Sequence, residues 1–255
     1  MSEQKVEKPV EKIIEEVHQV ARAESAPAPV RRYRAGLFQG ALVLVVVAFG
    51  ILTLLVKTMP FFAIDLQITR AIQLINFPLF TSLMIVLSWA GYSPQVVIIT
   101  GLIILVIYAL GLHWETVMAL MAAVLSTAVN VLVKDLVQRP RPAPGIVNVI
   151  ATLNSYSFPS GHVMYYVVFL GFIGFLVFSL LKPSLKRSLL LVFIGIPVVL
   201  IGISRIYVGD HWASDVVGSY LLGSLTLVAI ITFYRWGKTR FLIHQPVAAA
   251  ESKKA

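Results

Sequence analysis

Three short segments concentrate side chains that can bind an anion and do covalent chemistry: residues 134–142 (KDLVQRPRP), 159–162 (PSGH) and 204–215 (SRIYVGDHWASD). Lys134, Arg141 and Arg205 are three fixed cations within them. The planar fork of arginine matches phosphate oxygens, and lysine supplies a point charge.

The PSGH segment adds backbone donors to these cations. Ser160 and Gly161 come immediately before a predicted helix, and the first N–H groups of a helix bind anions. Together with Lys134, Arg141 and Arg205, they predict a binding site for a phosphate-like dianion.

Two histidines and an aspartate complete the predicted site. His211 and Asp215 are four residues apart, so they share one face if the last helix begins near His211. The carboxylate can then accept the Nδ1 proton and leave Nε2 free to attack phosphorus. His162 is placed to protonate the leaving oxygen and afterwards to activate water.

Each of these residues also has an ordinary structural interpretation. Single cations at span ends often snorkel to the interface, Ser160 can act as an N-cap, and an isolated histidine is usually structural. The combination of all of them in three segments favours a site. The two histidines and Asp215 could instead bind zinc, but three cations nearby would repel a divalent metal, so we expect no metal and no cofactor.

The composition places the chain in a lipid bilayer. It is 58% hydrophobic and 13% charged, with a mean hydropathy of +0.86. It has no cysteine, which excludes disulfides and thiolate sites. The net charge of +9 does not indicate nucleic-acid binding, because the cations are scattered at the ends of apolar segments.

The apolar segments predict an all-α, polytopic membrane protein. A membrane-spanning helix needs about 20 apolar residues, and six segments qualify: about 36–59, 95–113, 115–134, 162–181, 188–208 and 213–234. Between the first two, Asp65, Gln67, Arg70 and Gln73 interrupt residues 61–93. We predict interfacial helices there, with a seventh span within residues 61–93 as the alternative.

The distribution of Lys and Arg predicts the orientation. With six spans, nine cations flank one side: Arg31, Arg32, Arg34, Lys182, Lys186, Arg187, Arg235, Lys238 and Arg240. Six flank the other: Lys57, Arg70, Lys134, Arg139, Arg141 and Arg205. This predicts cytoplasmic termini. The three motif segments all lie in loops of the other side, so the site is predicted to face the extracytoplasmic surface.

The predicted domains are a polar leader at 1–34, a six-span domain at 35–238 and a cytoplasmic tail at 239–255. Apolar residues from Val10 to Val20 recur at helical spacing and predict a short amphipathic helix in the leader. It is either a solvated helix or a segment that contacts the membrane surface or another copy of the chain.

The three segments resemble the motifs of the type 2 phosphatidic acid phosphatase (PAP2) family, which are K-x6-R-P, P-S-G-H and S-R-x5-H-x3-D. Every position of these motifs is filled, including Pro142, Pro159 and Ser204. The resemblance implies a six-helix membrane fold and metal-independent hydrolysis of lipid phosphates or diphosphates. It also implies a phosphohistidine on His211. Arg139-Pro140 repeats the Arg-Pro step, so Arg139 is a lesser candidate, near the phosphate or facing headgroups.

The resemblance gives phosphatidic acid, a related glycerolipid phosphate or undecaprenyl diphosphate as substrates, with membrane lipids as the surroundings. The family is also similar to vanadium-dependent haloperoxidases, but these are soluble and the six spans argue against that activity. A lipid- or anion-transport protein that uses the same site for binding only is the non-enzymatic alternative.

Overall fold

The computed structural model of the chain describes residues 28–150 and 152–242. The chain divides into two compact units, residues 1–44 and 45–255. The described residues 28–44 of the first unit are helical. The predicted amphipathic helix around Val10 and most of the predicted tail lie outside the described residues.

The regular elements in the described residues are helices. They are α1 (Ala28–Thr58), α2 (Ala63–Gln73), α3 (Pro78–Ala90), α4 (Gln95–Ala109), α5 (His113–Val137), α6 (Gly161–Leu180), α7 (Leu185–Tyr207) and α8 (Ala213–Gly237). The prediction of an all-α polytopic membrane protein is confirmed.

Five of these helices, α1, α5, α6, α7 and α8, are long and apolar enough to cross a membrane. The second predicted span is built differently from the expectation of 95–113. Helix α4 has 15 residues and a length of about 22 Å, short of a bilayer core of about 30 Å. It reaches a length sufficient to span the membrane only together with α3, and the two helices are bent by 70° relative to each other. The described helices therefore give up to six spans.

The hydrophobic core lies between α5, α6 and α8. Met118 on α5 packs with Met164, Phe169 and Phe172 on α6 and with Ile230 on α8. A second cluster joins α6 to α7 and α8 through residues that include Val163 and Ile201. The beginnings of α6 and α8 are thereby fixed next to each other.

Helix α5 ends within the first motif segment, after Val137. Gln138 adopts the left-handed conformation with φ 57°, and its N–H bonds to the carbonyl of Lys134 at 2.8 Å. Pro140 has no N–H and could not continue the helix. Lys134 therefore stays in the last helical turn, while Arg139 and Arg141 are on the loop.

The loop between α7 and α8 packs closely against the loop that follows α5. Gly209 has φ 76°, and a Cβ there would meet the carbonyl oxygen of Asn148 at 2.0 Å. The side chain of Gln73 on α2 bonds to both loops, to the carbonyls of Asn148 at 2.7 Å and Tyr207 at 3.0 Å. The loop with His211 is thus held from two sides.

Helix α6 contains one π-helical turn, Tyr166–Leu170. It separates the first turn of the helix, Gly161–Tyr165, from the remainder, Gly171–Leu180. Four side chains of the π turn are buried, among them Val168 and Phe169. The turn lies immediately after the segment with His162.

Candidate active site

The three motif segments come together in the structure. Arg141 Nη1 lies 3.2 Å from His211 Nε2 and donates to the carbonyl of Asp210 at 2.7 Å. Lys134 Nζ donates to the carbonyls of Tyr156 and Ser157. Residues about 20 to 70 positions apart in the sequence thus meet at one place, as expected for loops on the same side of the membrane.

The surroundings of His211 define its tautomer. A guanidinium only donates hydrogen bonds, so Nε2 of His211 accepts from Arg141 and has no proton. The proton is then on Nδ1, which lies 3.5 Å from Asp215 Oδ2. This is the tautomer in which Nε2 has the lone pair that a nucleophile needs.

Ser157 lies between the histidine and the aspartate. Its hydroxyl donates to Asp215 Oδ2, and its Oγ is 3.4 Å from His211 Nδ1. Asp215 also accepts from the Trp212 N–H at 2.9 Å. Asp215 is in the first turn of α8, and His211 just precedes the helix. A carboxylate and a hydroxyl therefore orient the imidazole together.

His211 is 1% exposed, and its pKa is well below the ordinary value of histidine. Burial is the largest cause, followed by the positive charges of Arg141, Lys134 and Arg205. Burial is also the main cause that lowers the pKa of Arg141. His211 is therefore neutral at pH 7.

Arg205 is buried beside a second aspartate. Its Nη2 pairs with Asp210 Oδ2, and its Nη1 donates to Ser88 Oγ and, at 3.0 Å, to the Tyr92 hydroxyl. The Tyr92 hydroxyl in turn donates to Asp210 Oδ2 at 2.6 Å. One cation of the predicted anion site thus has a fixed carboxylate partner.

His162 is held by the bend between α3 and α4. Its Nε2 lies 3.2 Å from the carbonyl of Ser88, and because a carbonyl only accepts, Nε2 has a proton. The Tyr92 ring meets the imidazole edge-on, with the centroids 4.7 Å apart. Arg205 and Arg141 are close enough to act on His162 electrostatically.

Ser160 precedes α6 but does not cap it. The helix has no side-chain cap bond, and Ser160 Oγ is buried without a hydrogen-bond partner among the described residues. The amide of Asn130 bonds to the carbonyl of Pro159 at 3.1 Å, which fixes the PSGH segment against α5. A buried hydroxyl without a partner costs free energy, and a bound anion could satisfy it.

Arg139 differs from both expectations for it, because it is neither at the anion site nor at a lipid-facing position. Its side chain is 1% exposed and lies between two buried aspartates. It pairs with Asp65 at 2.9 Å and with Asp215 at 2.5 Å. Arg141, two residues later, has different partners: it bonds to Ser155 and to the carbonyl of Asp210 and lies beside His211.

An apolar groove of about 850 Å³ leads to His162. Its walls are formed by α4, α5 and the start of α6, and they include the small residues Gly101, Ala123 and Ala128. Tyr92 and His162 lie at one end. The groove connects an apolar surface of the helices to the polar site.

Sequence reasoning missed Ser88, Tyr92, Ser157 and Asp210, and treated Asp65 only as an interruption of an apolar segment. Asp210 lies inside the third motif segment and Ser157 is two residues before the PSGH segment, so their proximity was available as a signal. Ser88 and Tyr92 had none, because their position depends on the bend between α3 and α4. Among the described residues, no group of three or more His, Asp or Glu side chains could hold a metal ion.

Comparison with known proteins shows what this chain is similar to. The family model described as the PAP2 superfamily matches residues 114–239. Phosphatidylglycerophosphatase B of Bacillus subtilis (strain 168) is 29% identical over 188 residues, which are 72% of this chain and 90% of that protein. Dolichyldiphosphatase 1 of Rhinolophus ferrumequinum is 32% identical over 156 residues, 58% of this chain and 63% of that protein.

Two solved structures are similar as well. The transmembrane PAP2 type phosphatidylglycerolphosphate phosphatase from Bacillus subtilis superposes with a TM-score of 0.67 at 28% identity, and the match covers 78% of this chain and 98% of that one. LpxE of Aquifex aeolicus gives a TM-score of 0.55 at 22% identity, covering 67% and 96%. The second match bears on the fold alone.

Proposed function

We propose that this membrane lipid phosphatase is a member of the PAP2 superfamily and acts through a phosphohistidine formed on His211. The observation that supports this mechanism best is the state of His211. Its Nε2 is unprotonated beside Arg141, while Nδ1 faces Ser157 and Asp215.

In the first step the substrate phosphate binds between Lys134, Arg141 and Arg205, with Ser160 and the N–H of Gly161 as further donors. Nε2 of His211 attacks phosphorus in line with the leaving oxygen. The bond between phosphorus and that oxygen breaks, and His162, which is protonated on both ring nitrogens in the complex with the phosphate, gives the oxygen a proton and is left neutral. Asp215 stabilises the charge that develops on the imidazole.

In the second step water attacks the phosphohistidine. His162 takes a proton from this water, the bond between phosphorus and Nε2 breaks, and His211 is restored. The products are a lipid alcohol and inorganic phosphate from a monoester. A diphosphate gives a lipid monophosphate and inorganic phosphate.

The apolar groove supports a lipid rather than a soluble ester as substrate. An acyl or prenyl chain could lie between α4 and α5 and reach His162 without leaving the apolar phase. Among lipids, we propose a glycerolipid phosphate such as phosphatidylglycerol phosphate or phosphatidic acid as the first candidate. The relative with the more complete overlap is named for phosphatidylglycerophosphate. An isoprenyl diphosphate is the second candidate.

We also propose that the site faces the extracytoplasmic side, in agreement with the cation distribution. The chain has no cysteine, so single cysteines can be labelled cleanly. A membrane-impermeant maleimide added to intact cells should label Asn76→Cys, between α2 and α3, and leave Ser184→Cys, between α6 and α7, unlabelled. The opposite pattern would reverse the orientation.

The function is tested by phosphate release from phosphatidylglycerol phosphate, phosphatidic acid and undecaprenyl diphosphate by detergent-purified protein, with EDTA present. Release by the wild type but not by His211→Ala supports the proposal, and the relative rates rank the substrates. Trapping of acid-labile, base-stable phosphate on the wild type supports the phosphohistidine. No release from any of the three lipids would favour the binding-only alternative.

A further inference from the structure

Arg139 connects two buried aspartates that come from different parts of the chain. Asp65 is in the first turn of α2, and Asp215 is in the first turn of α8. Arg139 Nη2 donates to Asp65 Oδ2 at 2.9 Å, and its Nη1 donates to Asp215 Oδ1 at 2.5 Å. All three side chains are at most 1% exposed.

Further hydrogen bonds fix Asp65 and Arg139 in this connection. The hydroxyl of Ser214 donates to Asp65 Oδ2 at 2.7 Å and accepts from Arg139 Nη1 at 2.7 Å. The N–H of Ser214 donates to Asp65 Oδ1 at 2.8 Å, and the N–H of Phe62 donates to Oδ2 at 3.1 Å. Arg139 Nε donates to the carbonyl of Pro60 at 3.1 Å.

The two oxygens of Asp215 have different partners as a result. Oδ1 accepts from Arg139, while Oδ2 accepts from Ser157 and Trp212 and faces His211. The arginine therefore fixes the rotation of the carboxylate about its last bond. Without it, the carboxylate plane could rotate about that bond, and the alignment of an oxygen lone pair with His211 Nδ1 would be lost.

Resting on the proposed function, we propose that Asp65 is a positioning residue for the reaction: acting through Arg139 and Ser214, it holds Asp215 in the orientation that aligns His211. Helix α2 is then part of the catalytic architecture and not only a connection between two spans. Asp65 touches neither the phosphate-binding cations nor His211, so its effect must pass through Asp215.

A buried ion pair can also be purely structural, since removal of one partner leaves an uncompensated charge. The two roles differ in kinetics. A positioning role lowers kcat with little change in KM. A structural role lowers the melting temperature and the yield of folded protein, but leaves kcat per folded molecule unchanged.

The test compares Asp65→Asn with the wild type, using monodisperse protein and the most active of the three lipids. We expect kcat to fall by about 10- to 100-fold, the loss typical when a residue that hydrogen-bonds to a metal ligand is replaced. KM should stay within about twofold of the wild-type value. Thr69→Val is the matched control. Thr69 is equally buried on α2, and its hydroxyl bonds only to the carbonyl of Asp65, so its kcat should stay close to that of the wild type.

A double-mutant cycle identifies the path. In an Asp215→Asn background, Asp65→Asn should cost less than about twofold in kcat, because the two changes act through one carboxylate. If the loss of kcat in the double variant equals the product of the losses in the two single variants, the proposal is overturned. A wild-type kcat in Asp65→Asn would overturn it as well.

If Asp65→Asn does not fold, Ser214→Ala and Arg139→Lys provide the test. Ser214→Ala keeps both ion pairs, and we expect a loss of several-fold in kcat, in line with one hydrogen bond. Lysine cannot reach both carboxylates as the guanidinium fork does, so Arg139→Lys should lose more. Unchanged kcat in both would overturn the proposal. Failure of the wild type to release phosphate would instead remove the proposed function itself.

Discussion

Replacement of Gly91 by alanine should displace His162 without disturbing the rest of the site. Gly91 ends α3 with φ −90° and ψ −5°, a conformation open to alanine. A Cβ there would lie 2.1 Å from Cδ2 and 2.8 Å from Nε2 of His162. Ordinary contacts begin at 3.4 Å, so the imidazole must move by about 1.3 Å, and its bond to the Ser88 carbonyl would break.

A displacement of about 1 Å in a reacting group can cost about 100-fold. We expect this loss in kcat/KM for a lipid phosphate, whose alkoxide leaving group needs a proton. For p-nitrophenyl phosphate, kcat/KM should fall only a few-fold, because a good leaving group needs little protonation. The phosphoenzyme should then accumulate, since His162 is also needed to activate water.

The assay measures both substrates on both proteins and compares the ratios of variant to wild type. Gly195→Ala, within α7, is the control, because a Cβ there meets nothing within 4 Å. Equal losses for the two substrates would refute the acid role of His162. Full lipid activity in Gly91→Ala would refute the structural reasoning itself.

Three further predictions concern the nucleophile, its protonation and the groove. His211→Ala should abolish turnover and Asp215→Asn should lower kcat by about 10⁴-fold, as for the orienting carboxylate of other triads; normal activity in either, with correct folding, would exclude the mechanism. The ordinary pKa of histidine is about 6.5. Because the pKa of His211 is lower and its neutral form attacks, activity should persist when the pH falls below that value. Arg141→Gln removes the largest charge contribution and should move the acid limb of kcat/KM for p-nitrophenyl phosphate to higher pH; an unmoved limb would contradict the assignment. Ala128→Phe, in the groove, should raise KM for the lipid several-fold while kcat/KM for p-nitrophenyl phosphate stays constant. Val131→Phe, exposed on α5 outside the groove lining, is its control, and equal effects of the two would argue against a lipid chain in the groove.

The fold class and the contact between the motif segments could be predicted because both have strong local signals. Long apolar segments indicate spans by composition alone. The fixed spacing of Lys134 to Arg141, and of Arg205 to His211 and Asp215, indicates residues that act together. These signals need no knowledge of which helices pack against each other.

The partners of Arg139 could not be predicted in this way. Asp65 is 74 residues from Arg139 and 150 residues from Asp215, and no periodicity connects such positions. In a mixed segment, an aspartate normally suggests contact with water. A buried carboxylate, however, needs a charged or hydrogen-bonded partner. Arg139, which the motif spacing leaves unassigned, was the available candidate.

The predicted boundaries of the second span were wrong for a related reason. Residues 110–113 are apolar enough to extend α4, but Gly111 adopts φ 76° and ends the helix. The missing length comes from α3, on the other side of a 70° bend. Hydropathy along the chain does not indicate a change of direction, and the bend is what places Ser88 and Tyr92 at His162.

The π-helical turn in α6 determines how the side chains of the two ends of the helix are rotated relative to each other about its axis. A π turn contains one residue more than an α turn, and one residue corresponds to a rotation of about 100°. The side chains of Gly161–Tyr165 are therefore rotated relative to those of Gly171–Leu180 from where an uninterrupted α-helix would place them. One end can direct His162 to the site while the other presents Phe172 and Leu176 to the core. If Tyr166–Leu170 became regular α-helix with no residue removed, one of these two faces would turn away from its target, whereas deletion of a single residue there would remove the π turn and keep both faces in place.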